Sequence, residues 1–203
     1  MLITHSTSKM AWILVFGGVF VWSVINPKDY ITWVLEALPA IVAVIVMAAT
    51  RESFRLTPLL YVLILVHCII LLVGAHYTYA EVPLFDAIKE LFNMERNNFD
   101  KLGHLAQGFV PAIVAREIII RKRIIDFPGW RNFFILCTVL AISAFYEIIE
   151  WWVGAASEEA AEAFLGTQGY VWDTQSDMFL AFVGGLTALL CLSKLHDQQL
   201  AKL

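Results

Sequence analysis

Residues 56–75 read LTPLLYVLILVHCIILLVGA, twenty positions without an Asp, Glu, Lys or Arg. A helix needs about 20 apolar residues to cross a hydrocarbon core of about 30 Å, so this stretch predicts a membrane span. Five more segments of similar character flank it: Met10–Ile25 and Ile31–Ala49 before, then Leu102–Ile120, Arg131–Val153 and Asp177–Leu195 after. The expectation is one all-α, polytopic membrane domain, residues 1–203, with six transmembrane helices. In the first segment Lys9 precedes the apolar run much as in a signal peptide. No small-residue cleavage site follows it, and the chain continues into Asn26-Pro27-Lys28, so a retained anchor is expected.

Composition agrees. Of 203 residues, 60% are hydrophobic and 16% charged, with a mean hydropathy of +0.72. Soluble domains are about 45–50% apolar and about 25% charged. A water-soluble globule, a disordered chain, a collagen-like repeat and a disulfide scaffold are excluded. Lys and Arg number 14 against 18 Asp and Glu, and a net charge of −4 argues against a nucleic-acid partner. Cys68, Cys137 and Cys191 fall inside predicted spans without metal-site spacing and read as small buried hydrophobes.

Orientation follows from the basic residues. With six spans, one side holds Lys9, Arg51, Arg55, Arg116, Arg121, Lys122, Arg123, Arg131, Lys194 and Lys202; the other holds Lys28, Lys89, Arg96 and Lys101. This bias puts both termini in the cytoplasm. On the opposite side, Pro83–Glu95 carries Leu84, Phe85, Ile88, Leu91 and Phe92 at helical spacing and reads as an interfacial helix. Ser157–Leu165 reads as a second short helix, capped by Ser157, opened by Glu158 and Glu159 and ended by Gly166. Tyr77, Tyr79, Trp151, Trp152, Tyr170 and Trp172 form the expected aromatic belt.

A charge at the centre of a span costs about 2.5–3.5 kcal/mol on insertion scales, so each needs a reason. Here the charges come in pairs at helical spacing: Asp100 with His104, Glu147 with Glu150, and Asp173 with Asp177. The six-span topology brings all three pairs to one extracytoplasmic level, with His76 and Glu36 nearby. Small residues share their stripe: Gly108, Pro111 and Ala115 below His104; Ala181, Gly184 and Ala188 below Asp177, with Gly185 beside them; and Ser143 and Ala144 near Glu147. Such faces pack closely in membranes, which points the charges inward.

Two functions fit such a cluster. One is a divalent metal site (zinc, manganese, iron or magnesium) that activates water or polarises a phosphoryl or carbonyl oxygen of a membrane lipid or lipid-linked substrate. Asp100, His104, Glu147, Asp173 and Asp177 are then the expected ligands. Glu150 is the general base or a group that orients a ligand, and His76 a ligand or acid. The other is proton-coupled transport through the carboxylates, with His67 deeper in its span. A non-catalytic polar core is the plain alternative. In that case Thr174-x-x-Asp177 is a capping box, Asp100 caps its span, Glu150 snorkels beside Trp151, and His67 is satisfied by backbone. Arg116-Glu117, at the cytoplasmic end, reads as a structural ion pair.

These residues carry a resemblance. GAHYTYAEVPLF (74–85), NFDKLGH (98–104), QGFVPA (107–112), Ala115-Arg116-Glu117, YEIIEW (146–151) and WDTQSDM (172–178) resemble the YjdF-like family of bacterial inner-membrane proteins, over most of the chain from the second span onward. The resemblance implies a multi-span fold and an inner-membrane address, and no activity. A shorter likeness is to VanZ-like membrane proteins. It rests on Asp100-Lys101 before His104, on Glu147 and Glu150, and on Asp173 and Asp177 ahead of Gly184. The sequence departs from that pattern in having Glu150 where an amide is common and in lacking the usual Asn of the last span. That likeness implies cell-envelope lipid or lipid-linked chemistry.

Overall fold

The computed structural model describes residues 5–156 and 171–203. The described residues form seven α-helices: α1 (His5–Val24), α2 (Tyr30–Thr50), α3 (Pro58–Tyr77), α4 (Pro83–Leu91), α5 (Phe99–Arg121), α6 (Pro128–Ala156) and α7 (Asp173–Leu200), with a 3-10 turn at Tyr79–Glu81. The expected helix at Ser157–Leu165 and the belt residue Tyr170 lie outside the described residues. Four helices, α2, α3, α6 and α7, are long and apolar enough to cross a membrane. The apolar run of α1 is shorter, Lys9–Val24. At 23 residues α5 has the length but carries Asp100, Lys101, Arg116, Glu117 and Arg121, so its composition alone does not mark it as a span.

Local chemistry sets the helix starts. Asp29 caps α2, its carboxylate accepting the Thr32 N–H at 2.7 Å. These bonds from Thr32 favour the charged form and hold the Asp29 carboxyl below the usual carboxylate range. Proline opens α3, α4 and α6, where a missing N–H is harmless. Neither expected cap on the charged helices is one. The backbone N–H of Phe99 at the start of α5 is taken by Asn97 Oδ1 at 3.0 Å, while Asp100 lies inside the helix and is buried. Asp177 sits a full turn inside α7, whose N-cap is Trp172, so Thr174 and Asp177 make no capping box.

The most extensive packing is between α5 and α7. They run parallel, since Asp100 and His104 lie by Asp177 at one end and Arg116 lies by His196 and Asp197 at the other. Backbones touch between them. A Cβ added at Gly108 would meet the Ala181 backbone, and one at Gly184 the Leu105 carbonyl oxygen. The small-residue stripe is therefore a helix seam, as its spacing predicted. α6 packs antiparallel against both, α3 joins α5 to α2, and α1 leans on α3, where Trp12 Nε1 donates to the Tyr61 carbonyl at 2.8 Å.

At the basic end α5 is tied on two sides. Glu117, fully buried, accepts from the Thr57 hydroxyl at 2.7 Å, from Arg121 at 2.9 Å and from His196 Nε2 at 2.9 Å. Arg116 pairs with Asp197 at 2.7 Å and with His196 Nδ1 at 2.9 Å. The expected pair of Arg116 with Glu117 is thus replaced by two outward ties: adjacent residues on a helix point about 100° apart and cannot face each other. The cysteines also depart from expectation. Cys68 is buried, but Cys137 and Cys191 are exposed on outer helix faces, which in a membrane protein are lipid faces. α4 presents Leu84, Leu91 and Phe92 outward, while Phe85 packs edge-on against Phe99 with centroids 5.2 Å apart.

Candidate functional site

His104 lies one turn into α5, and its ring sits between two sets of carboxylates. Nε2 is 3.2 Å from Asp100 Oδ1 and 3.9 Å from Asp177 Oδ2. Nδ1 is 3.0 Å from Gln107 Oε1 and 3.8 Å from Glu147 Oε1. Asp100 shares the α5 face at i, i+4, α7 supplies Asp177, and α6 supplies Glu147 and Glu150. Asp100, His104 and Asp177 offer ligand atoms all within 4.8 Å of one another, and so do His104, Glu147 and Glu150. Each set could hold a cation.

The site is buried and its polar atoms are incompletely paired. Asp100, His104, Glu147 and Asp177 are all buried. Asp177 Oδ1 and Glu147 Oε1 have no hydrogen-bond partner among the described residues, and neither does Glu36 Oε2. Buried carboxylate oxygens in that condition are costly unless a cation or proton meets them.

Of the residues expected in the site, Asp100, His104, Glu147, Glu150 and Asp177 come together. Asp173 is adjacent, but its Oδ1 is held by Arg96 Nη1 at 2.9 Å. His76 stands apart. Its Nδ1 faces the Ser23 carbonyl at 3.2 Å, and its ring stacks on Trp22 at 4.3 Å, so it fastens α3 to α1. Glu150 does not snorkel: it lines the internal cavity, while Trp151 next to it points outward. His67 also lines that cavity, and its buried Nε2 has no hydrogen-bond partner among the described residues, where a backbone bond was expected.

Three residues escaped the sequence reading. Gln107 binds His104 Nδ1; its spacing of three from the histidine was the available signal. Tyr146 presents its ring edge-on to His104 at 6.2 Å. Tyr79 was expected in the interfacial belt but turns inward. Thr78, with φ of 62°, reverses the chain after α3, and Tyr79 fills the slot left by Gly74 and Gly103. A Cβ at Gly103 would stand 2.7 Å from its ring.

The cluster opens into a cavity of about 920 Å³ bounded by α2, α3, α5 and α6. Glu36, Tyr79, Asp100, His104, Tyr146 and Glu150 form its polar end. Pro39 lies inside α2 along its wall.

Comparison with known proteins gives an address. Residues 8–198 match the family model described as "Predicted membrane protein (DUF2238)". The chain is 45% identical over 202 residues to the inner membrane protein YjdF of Escherichia coli (strain K12), covering all of this chain and 94% of that one. No solved structure matches. A match over nearly the whole length, by both the family model and this relative, makes the chain a member of the DUF2238 family of membrane proteins, residing in the inner membrane.

Proposed function

We propose that this protein is a six-span enzyme of the inner membrane, both termini cytoplasmic, whose His104 cluster holds a divalent metal ion at the extracytoplasmic level and acts on a lipid or lipid-linked substrate. The observation that carries this reading is the seating of the His104 ring. Gln107 Oε1 can only accept, so at 3.0 Å it fixes the proton on Nδ1. In the neutral ring Nε2 then turns a lone pair toward Asp100 Oδ1 and Asp177 Oδ2, which are acceptors too. A cation seated between these three acceptors satisfies all of them, where a proton on Nε2 would serve Asp100 alone. Donors around a tetrahedral zinc, each at about 2.0–2.2 Å, lie roughly 3.3–3.6 Å apart; the two separations here are 3.2 and 3.9 Å. A histidine that ligates through one nitrogen and is oriented through the other is the common arrangement.

Asp100, His104 and Asp177 are accordingly the primary ligands, and Glu147, on the Nδ1 side of the ring, belongs to the second set with Glu150. Asp173, through Arg96, holds the start of α7 in place. Glu150, facing the cavity, is the base that holds a proton taken from an attacking water. A bound ion would activate that water or polarise a phosphoryl or carbonyl oxygen. Zinc, manganese, iron and magnesium all suit an imidazole and carboxylate set. The charged groups at both ends of α5 turn inward onto other helices, which supports counting it as a span, and the basic end then marks the cytoplasmic side. Proton-coupled transport is the second reading. The unpartnered His67 Nε2 in the cavity wall favours it.

Elemental mass spectrometry of protein purified without chelator tests the proposal, with His104→Ala and Asp177→Asn alongside. Near-stoichiometric metal in the parent, lost from both variants while each elutes as a single species, is the expected result. A metal-free parent from cells grown with added zinc, manganese and iron overturns it.

A further inference from the structure

Below the polar cluster the cavity becomes a long apolar slot. One wall is a single face of α2, on which Leu35, Leu38, Val42, Val46 and Thr50 follow one another at intervals of three and four. At a rise of 1.5 Å per residue that face is about 22 Å long. The facing wall comes from α5 and α6. Val42 and Val46 on α2, and Phe145 on α6, line the slot and are also 47%, 52% and 58% exposed. They are the lips of an opening between α2 and α6, two helices that do not pack substantially on each other. In a membrane that opening faces hydrocarbon.

Both ends of the slot are polar. At one end Glu36 turns a buried, unpartnered Oε2 beside the cluster. At the other the lining ends in Thr50, Ser53 and Lys122, where Arg121 lies 3.8 Å from the Phe54 ring centroid. The occupant must therefore be apolar over a bounded length and must enter from the bilayer.

We propose that this slot holds one acyl chain of a membrane glycerophospholipid, extended from the His104 cluster to the polar floor at Thr50 and Ser53. One leaflet of the hydrocarbon core is about 15 Å deep, filled by chains shortened by kinks. The slot is longer than that by roughly half, the length such a chain gains on straightening. A polyprenyl chain of many isoprene units would run into the polar floor. The head-group end of the lipid then lies at the metal cluster, which makes a glycerophospholipid the substrate class. This rests on the lipid reading above, but the acyl slot can be tested without the metal.

The protein is reconstituted into vesicles of phosphatidylethanolamine and phosphatidylglycerol. A trace of phosphatidylethanolamine carries a diazirine at the end of one acyl chain. After irradiation and digestion, adducts are mapped. Several-fold enrichment at Val46, Met47, Val114 and Ile118 over the outward-facing Phe133 and Phe134 is expected. Val114→Trp, which fills the slot, should abolish that enrichment and leave the outer adducts unchanged; Val42→Trp at the mouth serves if the first variant does not fold. Even labelling of slot and outer face overturns the proposal, as does displacement of the slot adducts by a trace of polyprenyl phosphate. Elemental analysis of the same parent protein separates the two readings. Slot labelling retained in a metal-free protein upholds the slot and removes the metal; bound metal with even labelling does the reverse.

Discussion

Gly108→Ala is the sharpest test of how the α5–α7 seam holds the site. The added methyl meets α7 backbone. Ala181 Cα would be 2.7 Å away, where ordinary contact begins at 3.4 Å, a shortfall of 0.7 Å, and the Ala181 carbonyl is nearer still. Backbone cannot rotate aside, so the helices must part. Overpacking of this kind costs about 1–3 kcal/mol, offset by up to about 1 kcal/mol from the better helix propensity of alanine. A net loss of about 1–2 kcal/mol is a factor of roughly 5–30 in the folded ratio. The same parting separates Asp100 and His104 on α5 from Asp177 on α7, so retention of the proposed metal should fall with stability. Gly17→Ala is the control, because nothing lies within 4 Å of its new Cβ. Unfolding by added dodecyl sulfate in mild detergent, followed by circular dichroism, reads stability, and elemental analysis reads the metal. If Gly108→Ala resists unfolding as well as Gly17→Ala and keeps its metal, the seam does not position the ligands and the reasoning fails.

Three other outcomes follow from particular contacts. Glu117→Ala leaves Arg121, Thr57 and His196 without their shared acceptor and should cost about 3–5 kcal/mol in the same unfolding assay, as removal of one member of a buried pair does. Asp29→Ala removes the α2 cap and should cost about 1 kcal/mol. Because the folded Asp29 carboxyl is held below its unfolded value, that increment is present above about pH 4 and is lost as pH falls through the folded pKa, so parent and variant should converge in strong acid. A cytoplasm-active reporter fused after Leu203 should be active and a periplasm-active one silent; the opposite pattern would place the cluster on the cytoplasmic side.

Much of this architecture was legible because a membrane enforces simple rules. Residues 56–75 and their counterparts announce helices through length and apolarity alone. The paired charges betray a shared level because helix periodicity and chain reversal fix both face and depth. What pairs with what was less legible. Arg116 and Glu117 are sequence neighbours, yet their partners lie about 80 and 60 residues away, at His196 and Thr57. The inward turn of Tyr79 depends on the positive φ at Thr78 and on space left by two glycines in different helices, neither of which has a local signature. Cys137 and Cys191 misled because in lipid an outer face is as apolar as a core. The slot was invisible from sequence, since it is defined by what α2 and α6 do not touch.

The double tether of α5 bears on how the chain is made. A segment with two acids, an arginine and a histidine among its buried residues partitions poorly into lipid on its own. Its compensating partners on α7, from Asp177 to Asp197, emerge from the ribosome more than fifty residues later. On the proposed six-span reading, α5 until then has no stable home in the bilayer. Insertion of the fourth segment should therefore wait for the last one, and a chain cut before residue 173 should be left with α5 unintegrated and open to the cell's membrane proteases.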